Sequence, residues 1–237
     1  MEISVVESHK NIRMGSLTDK TAIVVDAMRS AATIITAVHN GCDRIIPVSS
    51  VNDVLELKHA SEGDILSCGE ISAVLIPDFD LGNSPADYTE ERIKEKILIF
   101  STTNGSIAIK TCDAAATTLI GSFLNASAVA SYALMEGRDI ALVCAGTKGK
   151  FSTDDILACG CIIDKILKHS QGVKLDDFAY VAYTLYMQNK EDMSTLLVNC
   201  KHYVDLVNCG ARSDIEYCLR EDIYSEVPVY KEGVIFK

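Results

Sequence analysis

The fold is decided by the stretch Ile97-Leu-Ile-Phe-Ser-Thr-Thr-Asn-Gly-Ser-Ile-Ala-Ile109. Its first four residues form a continuous apolar run, which is typical of a strand buried on both faces of a parallel sheet. Five small polar residues, 101–105, end the strand. Ser106 then offers a side-chain oxygen to cap a helix that begins at Ile107. The stretch therefore predicts a strand, a sharp turn and a helix in direct succession.

The turn within this stretch predicts an anion-binding cradle. The free N–H groups of the first helical turn and the positive end of the helix dipole would point at a ligand there. The candidate phosphate ligands are Thr102, Thr103, Asn104, Gly105 and Ser106. The alternative is an ordinary strand-to-helix turn with a hydroxyl cap, and this stretch alone favours neither interpretation.

The rest of the chain alternates between strand and helix patterns and becomes helical after residue 175. Further strands are predicted within 1–10 and at 22–25, 44–48, 65–68, 118–120, 139–144, 227–230 and 234–236. Helices are predicted at 30–40, 51–60, 125–135, 156–167, 176–188, 191–197, 201–208 and 213–220. The pattern predicts an α/β protein of three α/β/α layers, with a mainly parallel or mixed sheet and a helical C-terminal third. We expect one domain over residues 1–237, with a subdivision near residue 170 as the alternative.

Residues that carry chemistry follow several of the predicted strands. Asp26, Glu70 and Gly146 each come directly or almost directly after a strand, as does the cradle. Asn83 and Ser84 lie in a polar loop, 77–85, which is a second place where ligand-binding residues are expected. Because ligands of open parallel sheets bind at the carboxyl ends of the strands, these residues predict one shared site.

The acids among these residues predict a bound cation. Carboxylates brought together repel one another unless some are protonated or a cation lies between them. Oxygen ligands without histidine or cysteine spacing favour a hard ion, and Mg²⁺ suits a phosphate substrate best. The candidate metal ligands are Asp26, Glu70 and Asp155. The candidate catalytic residues are Asp26, Arg29 and Asp154, and together this set is typical of phosphoryl transfer to water.

Each of these residues also has a purely structural interpretation. Asp26 would serve as a helix cap, and Arg29 as an exposed helix residue paired with an acid. Asp154 and Asp155 lie in the first turn of a predicted helix, where the helix dipole favours acids in any case. The lysines of the loop 146–150 are most often solvated.

Composition excludes several classes of function. The formal net charge of −11 argues against a nucleic-acid surface, which needs clustered Lys and Arg. No apolar run approaches the roughly 18 residues that indicate a membrane span, and the N-terminus does not resemble a signal peptide, so we expect a cytoplasmic protein. The nine cysteines include no Cys-x-x-Cys pair and the five histidines are scattered, which predicts reduced thiols and no zinc site.

Several short motifs carry a resemblance to a known family. They are Asp26-Ala-x-Arg29 with Ala31-Ala-Thr33, Phe79-Asp-Leu-Gly-Asn-Ser-Pro85, Thr102-Thr-Asn-Gly105, Asn125-Ala-Ser-Ala-Val-Ala130, Cys144-Ala-Gly146 with Phe151-Ser-Thr-Asp-Asp155, and Asp214-Ile-Glu-Tyr-Cys218. In this order and spacing, the chain from residue 20 to its end resembles the 2-phosphosulfolactate phosphatase family. Two positions depart from that family's usual pattern: Met28-Arg-Ser-Ala31 stands for Leu-Arg-Ala-Thr, and Ile107 stands where an Arg is common.

The resemblance implies a Mg²⁺-dependent phosphatase that hydrolyses 2-phospho-3-sulfolactate to 3-sulfolactate, a step toward coenzyme M. The expected partners are a small anionic phosphorylated substrate and a second copy of the chain in a homodimer, with no nucleic acid and no membrane. The alternative is a non-catalytic anion- or nucleotide-binding domain that uses the same cradle. The acids around the cradle favour catalysis, because a pure anion binder would avoid them.

Overall fold

The computed structural model describes residues 1–60 and 63–237 of the chain. These residues contain eleven strands and ten α-helices. The strands are β1 (Glu2–Val6), β2 (Thr21–Val25), β3 (Arg44–Pro47), β4 (Ile65–Ile71), β5 (Val74–Leu75), β6 (Ile97–Ser101), β7 (Thr117–Gly121), β8 (Ile140–Cys144), β9 (Lys174–Leu175), β10 (Val229–Lys231) and β11 (Val234–Phe236). The helices are α1 (Ser30–His39), α2 (Val51–Ala60), α3 (Glu90–Ile93), α4 (Gly105–Lys110), α5 (Ala126–Glu136), α6 (Thr153–His169), α7 (Asp177–Asn189), α8 (Met193–Leu197), α9 (Lys201–Asn208) and α10 (Arg212–Cys218).

All eleven strands belong to one mixed sheet in the order β5-β4-β6-β3-β11-β10-β7-β2-β8-β1-β9. Strands β4, β6 and β3 form one parallel block, and strands β7, β2, β8, β1 and β9 form a second. The antiparallel hairpin β10–β11 lies between the two blocks and joins them. Strand β10 pairs Val229 with Leu119, and strand β11 pairs Ile235 with Ile45. The predicted α/β class and mixed sheet are confirmed.

The core follows from the apolar runs of the central strands. Every residue of β2 and of β8 is buried, as expected for strands that are covered on both faces. Helix α6 packs between α5 and α7 against the sheet and buries most of its length. Full burial of each large aliphatic side chain contributes about 1.5–3 kcal/mol relative to exposure.

Most predicted elements agree with the structure within one to three residues, including the helical segments after residue 175. One boundary is wrong: β4 does not end at Cys68 but continues to Ile71. The last residues of β4 pair with neighbouring strands: Gly69 pairs with Ser101 of β6, and Glu70 pairs with Leu75 of β5. The short elements β5, α3 and β9 were not predicted, since two to four residues show no periodicity.

The predicted cap of α4 is also wrong. The helix begins at Gly105, so Asn104 takes the N-cap position and Ser106 lies inside the first turn. The Ser106 hydroxyl instead accepts a hydrogen bond from the N–H of Thr102 and donates to the Thr102 carbonyl. It therefore closes the turn rather than beginning the helix.

Candidate active site

A cavity of about 270 Å³ opens at the carboxyl ends of β2, β4, β6 and β8. The seven predicted site residues that line it are Asp26, Arg29, Glu70, Asn83, Thr103, Asn104 and Gly146. The strand ends therefore bring together residues that are up to 120 positions apart in the sequence, at the edge of the sheet where ligands bind. The other predicted residues lie behind this lining.

Thr102 and Ser106, two of the predicted residues behind the cavity lining, stabilise the turn after β6. Thr102 Oγ1 accepts from the N–H of Ser106 at 3.1 Å and from Ser30 Oγ at 3.2 Å. Because both Thr102 and Ser106 are buried and bonded within the turn, their hydroxyls are committed to its structure. Thr103 and Asn104 remain as the cavity-facing part of the predicted cradle.

Gly105 lets α4 approach the end of β2 closely. A Cβ atom added at this position would lie 2.6 Å from Asp26 Oδ2 and 2.5 Å from the Ser30 Cβ. Both distances are shorter than real Cβ contacts. The absence of a side chain at Gly105 therefore leaves the room in which the Asp26 carboxylate sits.

Asp155 fixes the ends of β2 and β8 relative to each other. One of its oxygens accepts from the N–H of Ala27 at 2.9 Å, and the other accepts from the N–H of Gly146 at 2.8 Å. Burial raises the pKa of Asp155 well above its usual range, and the charges of Asp154 and Asp26 act in the same direction. Its carboxyl group thus lies behind the cavity lining, with both oxygens engaged by backbone donors.

Glu70 ties the end of β4 to the turn after β6. Its oxygens accept from the N–H of Thr103 at 2.9 Å, from Thr103 Oγ1 at 3.2 Å and from the N–H of Ala73 at 2.5 Å. The N–H of Thr103, which was predicted to face an anionic ligand, therefore donates its hydrogen bond to a carboxylate of the protein itself.

Arg29 lines the cavity, but its charge is balanced. Its Nη1 donates to Asp214 at 2.7 Å and its Nη2 donates to the carbonyl of Ala73 at 3.2 Å. The Ser84 hydroxyl donates to the other Asp214 oxygen at 2.7 Å. Ser84 therefore acts on the cavity through Asp214 and Arg29.

Two buried oxygen groups of the cavity are suited to a cation. Burial raises the pKa of Asp26 to about 6, although the nearby His202 lowers it. Asn83 is also buried and donates its amide to Ser30 Oγ at 3.3 Å, but its Oδ1 has no hydrogen-bond partner in the described chain. An unpartnered buried oxygen is costly, and a hard cation or a ligand donor would satisfy it.

The described residues contain no group of three or more His, Cys, Asp or Glu side chains close enough to hold a metal ion by themselves. This arrangement still fits Mg²⁺, which commonly takes one or two carboxylates and fills its remaining positions with water and substrate phosphate. Asp26 and the Asn83 oxygen are the donors of this chain that best match such a site.

Two of the four cations that line the cavity lie on α9, a helix that was not predicted to contribute to the site. His202 and Lys201 of this helix line the cavity, as does Lys148 of the loop after β8. His202 Nδ1 lies 3.1 Å from the Asp154 carboxylate, whose side chain is only 1% exposed. Burial lowers the pKa of His202, but Asp154 more than offsets this and raises it to about 9. The pKa of Asp154 is lowered correspondingly, although burial alone would raise it.

A sheet that presents carboxylates and cations to a small cavity at its strand ends defines an α/β enzyme that acts on a small anion. The model of the 2-phosphosulpholactate phosphatase family matches residues 6–233. The chain belongs to this family, and it is therefore a phosphoric monoester hydrolase.

Similar proteins share the whole length of the chain. It is 37% identical over 237 residues to a "Probable 2-phosphosulfolactate phosphatase" of Clostridium novyi, with all of both chains covered. It is 38% identical to a protein of the same name from Clostridium acetobutylicum, with 99% of this chain and all of the other covered. A relative from Caldanaerobacter subterraneus, also so named, is 37% identical, with 99% and 98% covered.

In residues 1–60 and 63–237, none of the helices has the length and apolar character needed to cross a membrane. The expected small phosphorylated substrate agrees with the family.

Proposed function

We propose that the chain hydrolyses 2-phospho-3-sulfolactate to 3-sulfolactate and phosphate, and that it requires Mg²⁺. The observation that carries this proposal is the juxtaposition, in one cavity, of the Asp26 carboxylate, the Asn83 oxygen, which has no partner among the described residues, and the cationic His202. The names of the relatives point to the same substrate.

The charge of the cavity supports a role for a metal ion. The proposed substrate carries a phosphate, a carboxylate and a sulfonate, whereas Arg29 and His202 are each paired with a carboxylate of the protein. Lys148 adds one exposed positive charge. When bound, Mg²⁺ would neutralise part of the phosphate charge and orient the ester for attack by water.

The residues of the chain have distinct proposed roles. Asp26 and Asn83 would hold the cation, while Thr103 and Asn104 line the part of the cavity where the phosphoryl group would lie. Asp155 fixes the backbone on both sides of the cavity through Ala27 and Gly146. Arg29, Lys148 and Lys201 face the remaining anionic groups of the substrate.

Phosphate release from 2-phospho-3-sulfolactate tests the proposal. We expect EDTA to abolish release and added Mg²⁺ to restore it. Calorimetric titration with Mg²⁺ alone gives a second readout: Asn83→Ala should weaken Mg²⁺ binding, whereas the control Asn52→Ala, at an exposed position on α2, should not. Full activity in a metal-free sample would contradict the metal requirement. Binding of the substrate without any release would favour the non-catalytic alternative.

A further inference from the structure

His202 is held in one orientation at the wall of the cavity. Its Nδ1 lies 3.1 and 3.3 Å from the two oxygens of Asp154 and 3.5 Å from Ser152 Oγ. Ser152 in turn donates to Asp154 at 2.5 Å, which fixes the carboxylate. Every hydrogen bond that His202 makes within the described chain uses Nδ1. The Nε2 atom is therefore left for a ligand in the cavity that His202 lines.

Building on the proposed phosphatase function, we propose that His202 is the general acid that protonates the leaving-group oxygen, and that Asp154 is the positioning residue that orients it. A carboxylate bonded to Nδ1 keeps the imidazole in one tautomer and stabilises its protonated form. The buried Asp154 does both, because its side chain is 1% exposed and lies directly against the ring.

The other cations of the cavity are less suited to this step. Arg29 does not release a proton at any relevant pH and is bonded to Asp214. Lys201 is 72% exposed and paired with Asp205 at 2.7 Å. Lys148 is exposed and has no ion pair within the described residues. Among the cations that line the cavity in the described chain, His202 alone is partly buried, oriented by an acid and able to give up a proton.

The step balances without a further reactant. The oxygen of a water molecule forms a bond to phosphorus, and the ester P–O bond breaks with its electron pair going to the substrate oxygen. The Nε2 proton of His202 moves to that oxygen and gives the free hydroxy acid. One hydrogen of the water stays on the inorganic phosphate, and the other replaces the proton lost from His202.

The dependence of the rate on the leaving group tests this role. An alkyl phosphate such as 2-phospho-3-sulfolactate needs a proton on its leaving oxygen, whereas 4-nitrophenyl phosphate does not. We expect His202→Gln to lower kcat on the alkyl ester about 10²–10³-fold and kcat on the aryl ester less than about tenfold. Asp154→Asn should show the same selectivity with a smaller loss. His39→Gln is the matched control, because His39 also pairs with a carboxylate, Glu226 at 3.0 Å, but lies outside the cavity.

Two results would overturn the proposal in folded variants: equal losses on both esters, which indicate a binding or structural role, and unchanged rates on both. Circular dichroism and thermal unfolding identify variants that fail to fold, and His202→Asn then replaces His202→Gln. If the wild type releases no phosphate from 2-phospho-3-sulfolactate, the proposed substrate is wrong. The wild type and the His202 variants are then compared on 4-nitrophenyl phosphate and on 2-phospholactate or another alkyl phosphate that the wild type hydrolyses. This comparison decides the role of His202 independently of the proposed substrate.

Discussion

At the scale of single residues, the charge of the cavity is nearly balanced before any ligand enters. Asp26 and Glu70 contribute negative groups, and Arg29 and His202 each share their charge with a carboxylate of the protein. Because opposite charges at such distances offset each other, little positive charge is left for a substrate that carries three anionic groups. This balance is the physical reason to expect a divalent cation.

Gly105 allows a test of the position of the Asp26 carboxylate. We expect Gly105→Ala to lower kcat at least tenfold while the protein stays folded, since its methyl group would displace Asp26 or Ser30. Steady-state kinetics and thermal unfolding measure the two effects. Gly82→Ala is the control, because the nearest atom to a Cβ added at Gly82 is 3.8 Å away. Gly82 also directly precedes Asn83, which lines the cavity. A fully active Gly105→Ala enzyme would place the Asp26 carboxylate outside the reaction.

Asp26 and Glu70 could be predicted as site acids because each follows a residue run of strong apolar pattern. Of the cations that line the cavity, only Arg29 was predicted from the sequence, and the lysines and His202 were not. Asp214 pairs with Arg29 across 185 positions, and His202 pairs with Asp154 across 48. No local spacing records such pairs, and a lone histidine on a predicted amphipathic helix is usually structural. Arg29 was predicted at the site, but its partner Asp214 was not.

At the scale of elements, a residue distant in the sequence supplies the hydrogen-bond acceptor at the N-terminus of α5. The first turn of α5 is capped by Asp222, which accepts from the N–H and the hydroxyl of Ser127 at 2.6 and 2.7 Å. Lys165 of α6 lies 3.0 Å from the same carboxylate. Burial raises the pKa of Asp222, but these donors outweigh it and hold the pKa below its usual range.

Asp222 should make the stability of the protein depend on pH. A carboxyl group whose pKa is lower in the folded state stabilises the fold above its unfolded pKa, and this contribution is lost as the pH falls through the folded value. We expect Asp222→Asn to lower the free energy of unfolding by about 1 kcal/mol at pH 7. The difference from the wild type should shrink below about pH 4.

Urea unfolding at several pH values measures this effect. Asp64→Asn is the control, because the Asp64 side chain is 77% exposed and its only ion pair, with Lys96, spans 3.9 Å in the described chain. A constant difference between Asp222→Asn and the wild type from pH 7 to pH 3 would contradict the role of the charge.

At the scale of the whole molecule, the C-terminal hairpin holds the sheet together. Within residues 1–60 and 63–237, the two parallel blocks do not pair with each other directly: β7 pairs with β10, and β3 pairs with β11. The sequence predicted short strands at the end of the chain, but it could not show that they enter the middle of the sheet. Their pairing is antiparallel and spans more than 100 residues, and three-residue strands carry no signal for a partner.

Ile235 tests whether the hairpin makes the two blocks one cooperative unit. Its side chain is fully buried at the junction with Ile45, so Ile235→Ala should lower the free energy of unfolding by about 2–5 kcal/mol. The neighbouring Phe236 is 38% exposed, and Phe236→Ala should cost less than about 1 kcal/mol. We expect both variants to unfold in urea in one transition, because loss of the hairpin exposes the edges of both blocks. Two separate transitions in the wild type would show that the blocks are stable without their junction, and equal effects of the two substitutions would contradict the stabilising role of Ile235 at the junction.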